Sequence, residues 1–358
     1  MGHFCRIRET FYYFALAVIG VGCILGGLLA FDFWLFLRLP GNFARESKEV
    51  SIRSGMNASA VSRLLYRQGV ISDARKFYFL CRFRRVGQKL QAGEYAFSSF
   101  STPGQVLDQI VSGRVAVQRV TVPEGSTVRD IARILKEKGL ASDEIILSAA
   151  GDSNLLRTLG IDANSMEGYL FPDTYYFNRS QDEKAILKTM VHQFWRHLPA
   201  GWQERAGELG LTLHEVLTLA SIVEKEAVMD SERPVIAGVF FNRLDRDMPL
   251  QSDPTAVYDL EGFSGPILWN HLKRESPYNT YRNRGLPIGP ICNPGAKSIK
   301  AVLFAENVPY LYFVSNSDGT HHFSTSLEEH SQAVFRYRQL KKSTVAGEES
   351  GSADTSSP

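Results

Sequence analysis

The sequence predicts an α+β protein with a single N-terminal transmembrane helix, a small α+β module, and a larger α+β domain. Three observations carry that prediction. Residues Phe11 to Phe31 form an uncharged, mostly apolar run of 21 residues. Two segments offset by 70 residues repeat a strand–glycine–helix pattern. From Met166 onward, aromatic and Pro/Gly-rich blocks alternate with amphipathic helical stretches. The expected organisation is a cytoplasmic tail at 1–9, a membrane span at 10–37, a linker and module at 38–150, a second domain at 151–344 and a disordered tail at 345–358.

The apolar run is long enough to cross a hydrocarbon core as a helix, and Phe33 to Leu37 extend it past Asp32. A cleaved signal peptide would have a shorter apolar core and a small-residue cleavage site; no A-x-A site follows here. Gly22-Cys23 resembles a lipoprotein cleavage site, but the apolar run continues beyond it. Arg6 and Arg8 precede the span, partly offset by Glu9, and Arg38 follows it; on balance the positive-inside rule favours a cytoplasmic N-terminus, with the bulk of the chain outside the cytoplasm.

In the repeat, Val50-Ser-Ile52-Arg-Ser-Gly55 corresponds to Val120-Thr-Val122-Pro-Glu-Gly125. The match continues through Val61 and Ile131, Leu65 and Leu135, Gly69 and Gly139, and Asp73 and Asp143. Each copy reads as a strand, a glycine turn, and an amphipathic helix ended by a glycine suited to a left-handed cap. Gly93 to Phe97 add a strand signal, and Pro103 to Gly113 a short helix. Such units, opening on V-x-[IV]-x-x-G, resemble LysM-type glycan-binding modules. A LysM-like module is therefore expected, serving either as a sugar binder or as a spacer.

Lys and Arg number 40 against 38 Asp and Glu, so no net charge draws the chain to nucleic acid. Cys5, Cys23, Cys81 and Cys292 match neither a zinc spacing nor a CxxC pair.

In the second domain, the aromatic block Met166–Phe177 precedes a helical pattern at Gln181–His197. Thr212 and Glu215 form a capping-box signature. The helix they open carries Leu213, Val216, Leu217, Ala220, Val223 and Ala227 on one face. It ends in LASIVEKEA, Leu219 to Ala227. At 100° per residue, Glu224 and Glu226 flank this stripe from opposite sides. A carboxyl group withdrawn from water has a raised pKa and can serve as a general acid; helical geometry does not say which of the two does so. A further helix is expected from near Ser231, with Asn242 and Arg243 near its end. Residues 276–295, SPYNTYRNRGLPIGPICNPG, read as an ordered loop that offers stacking faces and amide or hydroxyl donors to a neutral polyhydroxylated ligand. A helix at Ser298–Phe304 and a β-hairpin turning at Asp318-Gly319 follow. His321 and His322 lack a third ligand at usable spacing, so no metal site is expected.

The blocks EGYLFPDTYYF, LASIVEKEA, VFFNRL, LQSDPTAVY, SPYNTYRNRGLPIGPICNPG and YLYFVS…GTHHFS resemble those of the YceG family, the MltG-type endolytic murein transglycosylases, over about residues 40 to 340. The resemblance implies a lyase, anchored in the bacterial inner membrane, that cuts peptidoglycan glycan strands internally and leaves 1,6-anhydro ends. It makes Glu226 the catalytic residue and Glu224 a supporting one. It places Asn242, Gln251, Asp253, Tyr278, Asn279 and Tyr281 along the substrate cleft. It implies no metal, no cofactor and no nucleic-acid partner, and peptidoglycan synthases as companions. Two alternatives stand beside it: a peptidoglycan hydrolase, in which Asp253 activates water, and a non-catalytic peptidoglycan-binding scaffold. A pyridoxal-phosphate lyase is discounted, because Lys225 projects away from the core and no Gly-rich phosphate loop follows a strand.

Overall fold

The computed structural model describes residues 2–41, 47–179 and 181–351. The chain divides between Gln118 and Arg119 into two compact units, with Asn178 and Arg179 grouped with the first.

The first unit opens with α1 (Gly2–Arg38), whose Leu16–Arg38 stretch is long and apolar enough to cross a membrane. Its last turn is not all free: Phe36 is 3% exposed and belongs to the unit's small core. Strand β1 (Ser47–Ile52) pairs antiparallel with β2 (Gly93–Ser98), Ser47 opposite Ser98 and Ile52 opposite Gly93. Alternation sends Val50 and Ile52 of one strand and Tyr95 and Phe97 of the other inward. Helices α2 (Ala58–Arg67), α3 (Ala74–Phe83) and α4 (Pro103–Val111) close that core with Val61, Leu65, Phe77, Leu107 and Ile110. Their starts are capped by Asn57, Asp73 and a Thr102–Gln105 capping box.

The second unit begins with the other copy of the repeat: β3 (Gln118–Thr121), α5 (Val128–Glu137) and α6 (Asp143–Ala150). Gly55 and Gly125 have φ of 81° and 76°, and Gly69 and Gly139 have 73° and 65°. Equivalent glycines thus adopt the same left-handed turns in both copies. The two copies nevertheless belong to different cores. Strand β3 takes its partner from the aromatic block, β4 (Thr174–Phe177). Val120, Val122, Ile131 and Leu135 pack with Leu170, Phe177 and Ile222. The division therefore falls at 118, not at the 150 expected, because the strand of each copy pairs outside the repeat.

Helices α7 (Ser153–Thr158), α8 (Glu183–His197) and α9 (Trp202–Glu208) lead to α10 (Leu213–Glu226). Every residue of α10 from Val216 to Val223 is buried. This is a helix enclosed on all sides, not the half-buried stripe expected. Its polar residues are satisfied locally: Thr218 donates to the His214 carbonyl, and Ser221 donates to that of Thr218 and accepts from the Ile291 amide. Around it stand α11 (Arg233–Asp245) and, after the short α12 (Trp269–Leu272), α13 (Ala296–Leu303). The hairpin β5 (Tyr312–Ser315) and β6 (His321–Ser324) follows, turning through Ser317 and Gly319 at positive φ. Finally α14 (Leu327–Gly351) continues into the stretch expected to be disordered. Extending a formed helix adds a hydrogen bond per residue without a new nucleus, so the tail's low apolar content did not prevent it. Residues 352–358 of that expected tail lie outside the described residues.

Candidate active site

The capping box of Thr212 and Glu215 starts α10, and the helix ends at Glu226, where Ala227 turns to an extended backbone. Glu226 is half-buried, and its carboxyl end is withdrawn from water. Burial pushes its pKa up to about 7, and neighbouring Asp253 pushes the same way. The Ser252 hydroxyl, which donates to Glu226 Oε1 at 2.5 Å, opposes the rise, as do the charges of His321 and Arg243. Desolvation is the largest of these influences.

Ser252 is placed by a backbone device. Gln251 adopts φ +51°, and a 3₁₀ turn, Asp253–Ala256, with Pro254 near its start, follows at once. The Ser252 amide donates to Thr280 Oγ1 at 3.0 Å, and the Gln251 amide donates to the Thr280 carbonyl at 3.2 Å. Thr280 and Thr255 share a buried hydroxyl contact at 2.8 Å. In this way the 276–295 loop holds the QSDPT segment against the end of α10. Tyr281 of the same loop donates to Asp253 Oδ1 at 2.5 Å. Arg243 of α11, 7% exposed, donates to the carbonyls of Leu311 (2.7 Å) and Leu250 (2.9 Å) and lies over the Tyr312 ring. It ties the hairpin to the QSDPT segment and brings a fixed positive charge near Glu226.

Glu224 has a different fate. It accepts from Arg233 Nη1 at 3.0 Å and from the Gly295 amide at 2.9 Å. Both side chains of the ion pair are nearly enclosed, at 6% for Glu224 and 7% for Arg233. Arg233 also bonds Asp230 and Ser298. Glu224 is a structural anchor between α10, α11 and the start of α13.

Of the six expected cleft residues, Gln251, Asp253 and Tyr281 gather around Glu226 and Ser252. The other three have their own partners. Asn242 donates its amide hydrogens to the carbonyls of Val308 and Tyr310, at 2.7 and 2.9 Å, and so secures the entry to the hairpin. Asn279 is fully buried; its amide donates to the Leu272 and Arg274 carbonyls and accepts from the Tyr281 amide. It shapes the loop and has no face for a ligand. Tyr278 packs edge-on against Tyr258 at 4.6 Å and lines a cavity of about 410 Å³ with Glu167 and His214.

Five further positions that build the site and its surroundings carry little local signal of it in the sequence: Ser252, Arg243, His321, Glu167 and Asn293. His321, which the sequence offers only as a metal ligand without a partner set, has another role. It bonds Glu232 through both its ring and its backbone amide, at 2.7 and 2.9 Å, and faces the field of Glu226. Glu167, 5% exposed, is a second buried carboxyl pushed up to about 7 by desolvation. It accepts from the Val128 amide, Tyr258 and Asn293 at 3.1, 2.8 and 2.9 Å. Those bonds occupy it, so it serves as a hub and not as a proton donor. Asn293 completes the hub by accepting from the Gly168 and Leu170 amides and donating to the Ser126 carbonyl. The available signal was a charged residue inside the apolar block MEGYLF. A further cavity of about 530 Å³ adjoins the end of α10 and is lined by Arg129, Arg133, Lys225, Pro254 and Tyr258.

This arrangement supplies one carboxyl group that can hold or release a proton near neutrality, with hydroxyl and guanidinium groups fixed around it. Among the described residues no cluster of His, Cys, Asp and Glu could hold a metal ion.

The chain matches the model of the YceG-like family over residues 50–336. It is 30% identical over 314 residues to an endolytic murein transglycosylase of Bacillus subtilis, covering 83% of this chain and 87% of that protein. It is 28% identical over 349 residues to one of Streptococcus pneumoniae, covering 88% of this chain and 63% of the relative's length. It also resembles the 2.6 Å crystal structure of a YceG-like protein from Listeria monocytogenes, at TM-score 0.57 and 32% identity, covering 80% of this chain and 98% of that one.

Proposed function

Because this chain belongs to the YceG-like family, we propose that it is an endolytic murein transglycosylase, a lyase that cuts peptidoglycan glycan strands internally. The observation that carries the reading is the Glu226 carboxyl, raised to about 7 at the end of an enclosed helix. Protonated Glu226 donates its proton to the oxygen joining N-acetylmuramic acid to N-acetylglucosamine, and the C1–O bond breaks. The muramyl acetamido oxygen stabilises the positive charge that develops at C1, as in substrate-assisted glycosidases. The ionised Glu226 then takes the proton from the muramyl C6 hydroxyl as that oxygen bonds to C1. A 1,6-anhydro ring closes, water is not consumed, and the carboxyl is protonated again. One carboxyl thus serves as acid and then base, which asks for a pKa near the working pH.

In this scheme Ser252 orients the carboxyl, Tyr281 holds Asp253 in place, and Arg243 and His321 keep the ionised form of Glu226 accessible. Gln251 and the outer face of the 276–295 loop meet the sugar acetamido and hydroxyl groups. Helix α1 anchors the protein in the inner membrane of a bacterium with its N-terminus in the cytoplasm. Both units then lie on the outer side, where synthases extend glycan strands, and internal cutting there sets strand length.

Digestion of purified sacculi in H₂¹⁸O separates this from the hydrolase alternative. The lyase yields 1,6-anhydromuramyl ends without ¹⁸O, whereas a hydrolase using Asp253 as base would leave ¹⁸O at each new reducing end. The scaffold alternative predicts no new ends at all.

A further inference from the structure

We propose that α3 of the first unit is a membrane-surface helix, which seats that unit on the anionic headgroups of the bilayer crossed by α1. The inference rests on α1 spanning the membrane. Helix α3 and the turn after it carry Arg75, Lys76, Arg82, Arg84, Arg85 and Lys89, with no acid among residues 74–89. Among the described residues, ion pairs join two of these to acids, Lys76 to Asp32 and Arg84 to Asp108. The inner face of α3 is spent on the core through Phe77, Leu80 and Cys81. Its outer face exposes large aromatics: Phe79 is 56% exposed and Phe83 75%. These two are stacked one helical turn apart at 6.4 Å. A basic helix with an aromatic outer row is the composition of interfacial helices.

The depth of α3 is set by α1. Phe79 meets Phe33 of α1 edge-on at 5.4 Å. Lys76 pairs with Asp32 at 2.6 Å and lies near the Phe36 ring. The candidate span of 23 residues, Leu16–Arg38, is about 35 Å long at 1.5 Å per residue, against a hydrocarbon core of about 30 Å. The uncharged run Phe11–Phe31 is about 32 Å long and fills that core by itself, so Asp32 and Phe33 come at its outer boundary, and α3, which touches both, sits at the same level. Trp34, 47% exposed, with Arg38 over its ring at 4.9 Å, is the kind of interfacial anchor found at that level. The pairing also accounts for a carboxylate inside an otherwise apolar run, since Lys76 reaches it from α3. The cations of α3 and its turn that pair with no acid among the described residues then face lipid phosphates.

The test uses the full chain in nanodiscs containing phosphatidylglycerol, with Cys5→Ser and Cys23→Ser; Cys81 and Cys292 are buried. Single nitroxide labels go on Phe83→Cys, on Leu25→Cys at the exposed apolar face of α1, and on Ser54→Cys in an exposed turn. Collision with oxygen and with a nickel chelate is then measured. The expected result is an oxygen-to-nickel ratio at 83 that lies between those at 54 and 25 and at least five-fold above that at 54. In an Arg75→Gln/Arg82→Gln background the ratio at 83 should fall at least two-fold. A water-like label at 83 beside a lipid-like label at 25 overturns the proposal and leaves the anchor standing. A water-like label at 25 removes the membrane span itself. An unchanged ratio in the double variant overturns the headgroup contact.

Discussion

Glu226 is held with its carboxyl out of water and a single hydroxyl donor, Ser252, at 2.5 Å. With a pKa of about 7, the acid form that starts the reaction is depleted above neutrality. The rate should therefore fall about ten-fold per pH unit on the alkaline side. The Ser252 hydroxyl stabilises the ionised form, so Ser252→Ala should raise the pKa further and move that alkaline limb to higher pH. A pH–rate profile of each form checks both. The same shift is a stability statement. The folded-state value lies above the ordinary 4.5, so the group's contribution is fully present below pH 4.5 and is lost as pH rises through 7. Glu226→Gln should consequently raise stability at pH 8, by about 2 kcal/mol, and change it little at pH 4. Urea unfolding at the two pH values measures this. Sequence alone left Glu224 and Glu226 equivalent, because helical spacing reports direction and not what waits there. The family resemblance pointed to Glu226; the geometry adds that Glu224 is occupied by Arg233 and the Gly295 amide.

At the scale of elements, the helices were legible. Periodicity and caps placed α8, α10 and α13 to within about two residues, and the Asp318-Gly319 turn marked the hairpin. The loops were not, because their partners are distant in sequence. Asn293 bonds the Gly168 amide across 125 residues, and no local pattern announces such a bond. Asn279, buried within its own loop, shows the same limit: buried and exposed amides look alike in a sequence. Two predictions belong here. Asn293→Ala should destabilise the second unit by about 2–4 kcal/mol, since four buried polar groups lose a partner. Glu224→Gln should cost about 3 kcal/mol by taking from the buried Arg233 charge its one enclosed carboxylate and leaving it the more exposed Asp230. The double change Glu224→Leu/Arg233→Met should cost clearly less. Denaturant midpoints of the single and double variants give the coupling; equal losses in all of them would contradict the anchoring role.

For the whole molecule, the repeat was visible in the sequence but its partition was not. Both copies keep the same glycine turns, yet each is claimed by a different core, because strand pairing is chosen by tertiary neighbours. The first unit also incorporates the end of α1: Phe36 is 3% exposed, and Phe33 and Leu37 pack against the same core. A soluble form beginning at Asp32 should therefore retain a more stable first unit than one beginning at Gly41, by about 3 kcal/mol, the usual cost of removing a buried aromatic. Hydrogen exchange in β1 and α4 would show it as faster opening in the shorter form. The central claim is that Glu226 drives internal cutting of glycan strands by ring closure. Its most direct measurement is mass spectrometry of sacculi digested by the wild-type chain and by Glu226→Gln. The account predicts internal 1,6-anhydromuramyl ends with the wild type and a loss of at least 100-fold in the variant, within the usual range for a catalytic acid. Ends formed by Glu226→Gln at the wild-type rate would contradict it.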